Sequence, residues 1–211
     1  TDGRSLPLSE RRRRLAAILH SLPGSRLILS AEVPARDWDT AATARRGARE
    51  AGAEGLMLKR IASEYGVGRR RGDWWKWKID PLSVDAVLIY AQPGSGKRAG
   101  LFTDYTFGVW ENNHLLPFAK AYTGLTDEEI RKVDAFVRRN TLEKFGPVRT
   151  VKPELVFELA FEGIQRSTRH KSGVAVRFPR IVRWRTDKKA EEADTIETVK
   201  GLLNKEGRSE K

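Results

Sequence analysis

The order of apolar and polar positions divides the chain into two regions, and the first, 1–80, reads as a mixture of helices and strands. Apolar residues at helical spacing predict a helix within 9–22, and an alanine-rich segment predicts a second within 37–52. Apolar runs rich in β-type residues predict strands at 26–33 and 54–60 and in the segment "WWKWK". This order predicts the edge of an α/β or α+β unit.

The second region, 81–203, is dominated by β-type segments. Five of them, "SVDAVLIYAQ", "AGLFTDYTFGVW", "HLLPFAKAY", "ELVFELAFEGIQ" and "GVAVRFPRIVRW", are separated by turns or by one helix. That helix, in "TDEEIRKVDAFVRR", begins with Thr126 and Glu129 at capping-box spacing. Five strands and one helix favour a small closed barrel such as the OB-fold. The predicted fold class is therefore α+β, with a five-stranded OB-fold β-barrel over 81–203 and a polar, disordered tail over 204–211.

The "WWKWK" strand carries an unusual pair of charges. Side chains alternate between the two faces of an extended strand, so Lys76 and Lys78 share one face with Trp74. Trp75 and Trp77 fall on the opposite face, where we expect them to pack on a core. Two like charges on one strand face repel each other, and an anion bound between them would remove that cost. The alternative is a half-buried strand with a solvated lysine face.

The composition favours a polyanionic partner. The chain has 40 Lys and Arg against 28 Asp and Glu, a formal net charge of +12 and a pI near 10.2, which is typical of proteins that bind nucleic acid. Its hydrophobic fraction of 39% is enough for a packed core. The absence of cysteine excludes disulfides and thiolate metal sites. With no apolar run of membrane-spanning length and no signal peptide, we expect an intracellular, cytoplasmic protein that does not enter membranes.

Two other patterns do not predict sites. "QPGSGKRAG" resembles a phosphate-binding loop, but Ala91 occupies the first glycine position and Arg98 replaces the required serine or threonine, so we expect a hairpin turn. The three histidines, His20, His114 and His170, are too far apart in the sequence to suggest a metal cluster.

Three charged segments occur in a fixed order along the chain: "EGLMLKR", "YGVGRRRGDWWKWK" and "RFPRIVRWRTDK". In this order they resemble motifs IV, V and VI of the covalent nucleotidyltransferase superfamily. More closely, the chain is similar to the C-terminal part of an ATP-dependent DNA ligase. The likeness extends from near the N-terminus to about Leu203. It implies that 1–80 is the C-terminal part of an adenylation domain and that 81–203 is the OB-fold domain.

The resemblance assigns roles to residues of the first region. Glu54 matches the motif IV carboxylate, which implies binding of Mg²⁺ or another divalent cation. Lys76 and Lys78 match the motif V pair, which implies contact with the α-phosphate of ATP, and Arg70 matches an arginine that binds the nucleotide. We expect the arginines that flank Arg70 to touch the DNA backbone; they are Arg69 and Arg71.

The third segment supplies the remaining candidates. Arg185, Asp187 and Lys188 match motif VI, which implies that they grip the pyrophosphate leaving ATP. Arg177 and Arg180 lie in the same stretch, and we expect Arg177 to contact the nucleotide and Arg180 to contact DNA.

One element of the family pattern is absent from the sequence. Ligases of this family carry AMP on the lysine of a Lys-x-Asp-Gly tetrapeptide, and none occurs here. "TDG" at Thr1–Gly3 has no lysine before it, and "KVDA" at Lys132 ends in alanine. We therefore expect a part of a ligase that cannot adenylate itself and that works with a missing N-terminal portion. We expect a monomer.

The resemblance implies an enzyme that seals nicked duplex DNA in replication, repair or recombination, through enzyme-AMP and DNA-adenylate intermediates. One alternative is a non-catalytic nucleic-acid-binding module of the OB type, which would not need the upstream "EGLMLK" strand. The other is a nucleotidyltransferase of the RNA ligase or capping type. Within the superfamily, "LAFEGIQRS" and "RFPRIVRWRTDK" favour a DNA ligase over RNA ligases and capping enzymes.

Overall fold

The computed structural model describes residues 2–22, 24 and 26–206, with side chains described as far as residue 203. The chain forms two compact units that divide between Ile79 and Asp80. Within the described residues, no helix combines the length and the apolar character that crossing a membrane requires.

The first unit contains two helices and a two-stranded antiparallel sheet. Its elements are α1 (Leu8–His20), α2 (Trp38–Arg46), β1 (Gly55–Lys59) and β2 (Trp74–Lys78). α2 begins at a capping box in which the Asp37 carboxylate accepts a hydrogen bond from the backbone N–H of Thr40. Both predicted helices and the strands β1 and β2 are confirmed, although α2 ends at Arg46, before the predicted limit of 52.

The strand predicted at 26–33 is wrong. The described residues of this segment form no strand, and Ile28 is 90% exposed. The segment is held instead by Arg12 of α1, which bonds the Ser30 carbonyl and the Glu32 carboxylate. A β-type run needs a neighbouring strand to satisfy its backbone, and here the only described ladder of the first unit joins β1 to β2.

Gly55 allows β1 and β2 to approach closely where the sheet begins. The register opposes Gly55 to Lys78 and Met57 to Lys76. Gly55 has φ +137°, and a Cβ at this position would lie 2.3 Å from the Trp77 carbonyl oxygen. Only glycine combines this backbone conformation with the absence of a side chain, so its presence sets the spacing at which Lys78 meets β1.

We expect Gly55→Ala to lower the free energy of unfolding of the first unit by about 2 kcal/mol or more, because it adds backbone strain to a steric clash. Gly68→Ala is the matched control: Gly68 also has a positive φ, +76°, but a Cβ there would meet nothing within 4 Å. Its cost should be backbone strain alone, about 1–2 kcal/mol. Denaturant unfolding followed by tryptophan fluorescence would measure both, and equal losses would contradict the predicted clash.

The second unit is a curled antiparallel sheet with two helices. Its elements are β3 (Leu82–Pro93), β4 (Phe102–Glu111), β5 (His114–Ala121), α3 (Asp127–Arg139), β6 (Thr141–Phe145), β7 (Val148–Val151), β8 (Val156–Phe161), β9 (Gly163–Arg166), β10 (Val174–Arg177), β11 (Arg180–Trp184) and α4 (Ile196–Glu206). The main path of the sheet is β11-β8-β3-β4-β5, with the β6–β7 hairpin joined to β3 and a separate β9–β10 pair.

The predicted five-strand barrel is right in class but too simple in detail. Two of the five segments each divide into two strands, β8 with β9 and β10 with β11, and the β6–β7 hairpin was not predicted. Among the described residues no ladder joins β5 to β11; one hydrogen bond from Ile181 N–H to the Thr123 carbonyl links these edges at 2.9 Å. The sheet is therefore curled into a half-barrel and is not closed by a continuous ladder.

The main hydrophobic core fills the curl of the sheet. Phe107, Phe157 and Phe161 are fully buried, and α3 adds Val133 and Val137 from its apolar face. Burial of aromatic and branched side chains of this size contributes about 1.5–3 kcal/mol each before entropy is subtracted. The core thus makes the strands β3, β8 and β11 a rigid support for charged side chains.

Two smaller predictions concern the ends of elements. The "QPGSGKRAG" segment forms the predicted turn between β3 and β4, with a short 3₁₀ helix at Gly96–Arg98. The prediction of a disordered tail from residue 204 is wrong for the first residues of that tail, because α4 extends to Glu206. Residues 207–211 lie outside the described part of the chain.

Candidate functional site

The lysine pair lies on one face of β2, as predicted, and both side chains are exposed. Lys78 Nζ lies 3.1 Å from Glu54 Oε2, so the structure brings the predicted phosphate-binding lysine and the predicted metal-binding carboxylate together. Lys76 forms no ion pair with any described residue. The two cations are therefore not equivalent: Lys78 has a local counter-charge, whereas Lys76 presents an uncompensated ammonium group.

The tryptophans on the opposite face are only partly covered. The rings of Trp77 and Trp38 meet edge to face, with centroids 5.9 Å apart, and the Arg45 guanidinium lies 5.4 Å from the Trp77 ring. Trp75 remains 46% exposed, so the prediction that it packs on a core is wrong for the described chain. A sheet of two strands offers little area to bury, and α2 packs mainly against β1.

Contacts on the lysine face fix the start of β2. Trp74 donates from Nε1 to the Ser63 hydroxyl at 3.3 Å, and the Lys59 ammonium lies 4.4 Å from the Trp74 ring centroid. Tyr65 packs edge to face on Trp74 at 6.3 Å. These contacts tie the loop between β1 and β2 to the strand that carries the lysines.

The predicted arginines lie in this loop. Arg70 folds back over Gly66, where a Cβ would lie 3.1 Å from Arg70 Cδ, so the glycine makes room for the arginine stem. The side chains of Arg69, Arg70 and Arg71 are exposed, and none of them forms an ion pair with a described residue. The loop therefore adds three free positive charges just before β2.

In the second unit the structure brings all three predicted motif VI residues together. Arg185 binds Asp187 with two hydrogen bonds, from Nε to Oδ1 at 2.9 Å and from Nη2 to Oδ2 at 2.8 Å. Arg185 Nη1 also donates to Asp85 Oδ2 at 2.6 Å, and Lys188 Nζ donates to the same oxygen at 2.7 Å. We call Asp85, Arg185, Asp187 and Lys188 the motif VI cluster.

In the motif VI cluster, Arg185 and Asp187 each stabilise the charged form of the other. The hydrogen bonds that Arg185 donates hold the pKa of the Asp187 carboxyl well below its ordinary value. The same hydrogen bonds, together with the smaller effect of the negative charge of Asp85, raise the pKa of the Arg185 guanidinium. Arg185 and Asp187 therefore both remain ionised throughout the physiological pH range.

Asp85 was not predicted from the sequence. It is a buried residue of β3, with a side chain only 10% exposed, and it lies 100 residues before Arg185. One signal was available in "SVDAVLIY", where an acidic side chain interrupts an otherwise apolar strand. A buried carboxylate requires a cationic partner, but the sequence does not say which of the 40 lysines and arginines supplies it.

The other two predicted residues flank an exposed aromatic side chain. Arg180 donates to Glu162 at 2.9 Å, and the Arg177 guanidinium lies 5.0 Å from the ring of Phe178. Phe178 is exposed and has φ +53°, which a bulky residue rarely adopts. The predicted contacts of Arg177 with the nucleotide and of Arg180 with DNA remain predictions.

The residues present supply only part of a metal site. No group of three or more histidine, cysteine or carboxylate side chains that could hold a metal ion occurs among the described residues. Mg²⁺ is usually held by one or two carboxylates together with phosphate oxygens and water, so the single carboxylate of Glu54 fits one position of such a set.

Comparisons with family models match most of the chain. The model of the ATP dependent DNA ligase domain matches residues 2–78, and the model of the ATP dependent DNA ligase C terminal region matches residues 98–188. These matches do not favour the alternative of a non-catalytic nucleic-acid-binding module.

Curated relatives and solved structures agree with the family models. The chain is 48% identical over 155 residues to a probable DNA ligase of Koribacter versatilis, covering 74% of this chain and 27% of that protein. It is 40% identical over 206 residues to a DNA ligase of Methanopyrus kandleri, covering 95% of this chain and 37% of that protein. The chain thus spans well under half the length of these relatives.

The fold is shared with a solved Lig E DNA ligase, with a TM-score of 0.63 at 18% identity over 85% of this chain and 59% of that chain. A second solved structure, Pmar-Lig, gives a TM-score of 0.54 at 17% identity over 70% of this chain and 30% of that chain. Since matches to the model of the ATP dependent DNA ligase domain and to the model of the C terminal region follow each other in one sequence, this chain belongs to the ATP-dependent DNA ligase family, of which it represents the C-terminal part.

Proposed function

We propose that this chain is the part of an ATP-dependent DNA ligase that positions and neutralises phosphates while a nick in duplex DNA is sealed. The observation that carries the proposal is the face of β2, where Lys76 has no counter-charge among the described residues and Lys78 lies beside Glu54. A strand fixes the direction of both side chains before any substrate arrives. Preorganised cations of this kind stabilise charge that develops on a phosphoryl group.

Sealing consists of three transfers, and in each of them the protein must position a phosphoryl group and stabilise its negative charge. A lysine nitrogen bonds to the α-phosphorus of ATP as pyrophosphate leaves. The 5′-phosphate of the nick then takes the AMP from that lysine, and finally the 3′-hydroxyl bonds to the 5′-phosphorus as AMP leaves. Phosphoryl transfer of this type is catalysed mainly by positioning and by electrostatic stabilisation. Lys76 and Lys78 would contact the α-phosphate, and Arg70 would bind the nucleotide.

The motif VI cluster and Glu54 would act in the first transfer, in which ATP reacts and pyrophosphate leaves. Arg185 and Lys188 would bind the pyrophosphate, with Asp187 holding the guanidinium in place, and Arg177 would add a contact with the nucleotide. Glu54 would supply one carboxylate ligand to a divalent cation, which neutralises phosphate charge when it is bound. The lysine that takes AMP would come from a Lys-x-Asp-Gly segment outside this sequence. Because its proposed substrates are DNA and ATP, the proposed activity is intracellular, and we expect it in the cytoplasm.

A nick-sealing assay tests the proposal. A ligase that contains this chain should join a 5′-phosphorylated nick in duplex DNA when ATP and Mg²⁺ are present. It should leave an unphosphorylated nick open. Failure to seal DNA combined with sealing of an RNA nick would instead support the RNA ligase alternative.

We expect binding to nicked DNA to weaken steeply with salt, because each neutralised phosphate contributes a slope of roughly −0.9 in log affinity against log salt. If Arg69 and Arg71 contact the backbone, their double alanine variant should make the slope shallower by about 1.8. The matched control is the double alanine variant of Arg13 and Arg14, which removes the same net charge from two arginines already paired with Glu10. Fluorescence anisotropy at several salt concentrations would measure the slopes. The same change in both variants would show that Arg69 and Arg71 act only through net charge.

A further inference from the structure

The buried carboxylate of Asp85 joins the two cations of motif VI through one oxygen. Asp85 Oδ2 accepts hydrogen bonds from both Arg185 and Lys188, while Asp85 Oδ1 is buried and has no hydrogen-bond partner among the described residues. A buried oxygen without a partner costs stability, and a buried ion pair often contributes little net stability. Fold stability alone therefore gives a poor account of this aspartate.

Asp85 is held firmly in its strand. Its backbone N–H donates to Asp194 Oδ2 at 2.7 Å, and its carbonyl accepts from the Asp194 N–H at 2.9 Å. The Asp194 carbonyl in turn accepts from the Trp110 N–H at 3.0 Å, so β4 is part of the same support. The backbone that carries the Asp85 carboxylate is thereby held by Asp194 and, through Asp194, by β4.

The bonds to Asp85 leave part of each cation available. A guanidinium has five N–H donors and an ammonium has three. Arg185 uses three donors, on Asp85 and Asp187, and Lys188 uses one on Asp85. Their side chains are 15% and 28% exposed, so the remaining donors are not fully enclosed by protein.

We propose that Asp85 is a positioning residue, which holds Arg185 and Lys188 side by side so that their free donors meet neighbouring oxygens of the ATP polyphosphate. This proposal rests on the proposed function and adds a residue to it. Two mobile cations would lose side-chain entropy on binding phosphate, and they would repel each other. The shared carboxylate removes both costs in advance, because it orders the side chains and screens their mutual repulsion.

The proposal predicts that the steps of sealing depend differently on Asp85. Pyrophosphate leaves only when the enzyme is adenylated by ATP, so a defect in positioning Arg185 and Lys188 should appear in that step. Joining a nick that already carries AMP on its 5′-phosphate does not involve pyrophosphate. A purely structural role for Asp85 would impair both reactions alike.

The test is Asp85→Asn in a full-length ligase that contains this chain. The amide keeps the shape of the side chain but removes its charge. We expect adenylation by ATP to slow by up to about 10²-fold, with a raised KM for ATP, because small misplacements of catalytic groups cost this much. Sealing of a pre-adenylated nick should stay at the wild-type rate.

Asp134→Asn is the matched control. Asp134 is also a buried aspartate of the second unit, with a side chain 11% exposed, and it pairs with Arg138 at 2.7 Å. Melting curves would compare the two variants, and Asp134→Asn should leave the ratio of adenylation to sealing unchanged. If Asp85→Asn does not fold, Asp85→Glu keeps the charge but moves the carboxylate, and it should again slow adenylation selectively.

The outcomes separate this inference from the proposed function. If Arg185→Ala slows adenylation but neither Asp85 variant does, the positioning role is overturned while the function stands. If the Asp85 variants slow adenylation and sealing of a pre-adenylated nick equally, the role is structural and the proposal is again overturned. If Arg185→Ala is adenylated by ATP at the wild-type rate, the proposed binding of ATP by motif VI is wrong, and the positioning role of Asp85 is overturned with it.

Discussion

Lys76→Ala should slow nick sealing on the order of 10²-fold or more in an active ligase that contains this chain, because it removes a fixed cation opposite phosphoryl charge. Stability should change little. Lys76 is exposed on β2 and has no ion pair among the described residues, and surface substitutions of this kind usually alter the free energy of unfolding by less than about 0.5 kcal/mol. Single-turnover sealing rates and melting curves would measure the two effects separately.

The matched control is Lys152→Ala, which removes an exposed lysine paired with Glu154 in the second unit. It should leave the sealing rate unchanged. If Lys76→Ala seals nicks as fast as the wild type, the lysine face of β2 is simply a solvated surface. That result would remove the main support for the proposed function.

The effect of Lys78→Ala would be harder to interpret than that of Lys76→Ala. Its ammonium lies 3.1 Å from Glu54, so Lys78→Ala would remove a phosphate contact and also release the carboxylate proposed to bind a metal ion. Truncating one partner of an ion pair measures both losses together. Lys76 is therefore the cleaner probe of phosphate binding, although the sequence alone presents the two lysines as equivalent.

Local patterns predicted the elements that depend on near neighbours. The alternation in "WWKWK" placed both lysines on one face of β2, and the capping box at Thr126 marked the start of α3. Both signals act within a few residues, where backbone geometry dictates which side chains share a face. The same local reasoning explains why the turn between β3 and β4 was recognised.

Features that depend on distant partners were missed. The run at 26–33 has the composition of a strand, but the described chain gives it no strand to pair with. Trp75 has the alternation of a core residue, yet nothing described covers it fully. Asp85 meets Arg185 only after β3 and the segment that follows β11 come together in the fold. Single-sequence patterns contain no record of such pairings, which is why the motif VI cluster was predicted only in part.

The structure also divides the predicted cations into two groups. Arg69, Arg70, Arg71 and Lys76 have no ion pair with described residues, whereas Arg185, Lys188, Arg180 and Lys78 each contact a carboxylate. A free cation on the surface attracts any phosphate within about a Debye length. A paired cation is held in one orientation and binds a phosphate only through its remaining donors. The first group suits contact with the DNA backbone or the AMP phosphate, and the second suits binding at defined positions.

The 211-residue chain should form no covalent adduct with AMP when it is incubated with radiolabelled ATP and Mg²⁺. The nearest approach to the adenylated tetrapeptide is "KVDA", whose lysine, Lys132, lies on the exposed face of α3. The Glu128 carboxylate, 2.8 Å away, accepts a hydrogen bond from this ammonium and raises the pKa of Lys132 above its ordinary value. A protonated amine has no lone pair for attack on phosphorus, so Lys132 is a weaker nucleophile than an ordinary surface lysine.

Gel autoradiography after denaturation and intact-mass measurement would detect an adduct, and a complete ATP-dependent DNA ligase treated in parallel would show that the assay works. Lys132→Arg provides the matched variant, because it keeps the charge beside Glu128 and removes the amine. Both the chain and this variant should stay unlabelled. A label that survives denaturation and maps to Lys132, or to any other lysine of this chain, would show that a nucleophile is present without Lys-x-Asp-Gly. The division of labour between this chain and a separate lysine-bearing segment would then have to be abandoned.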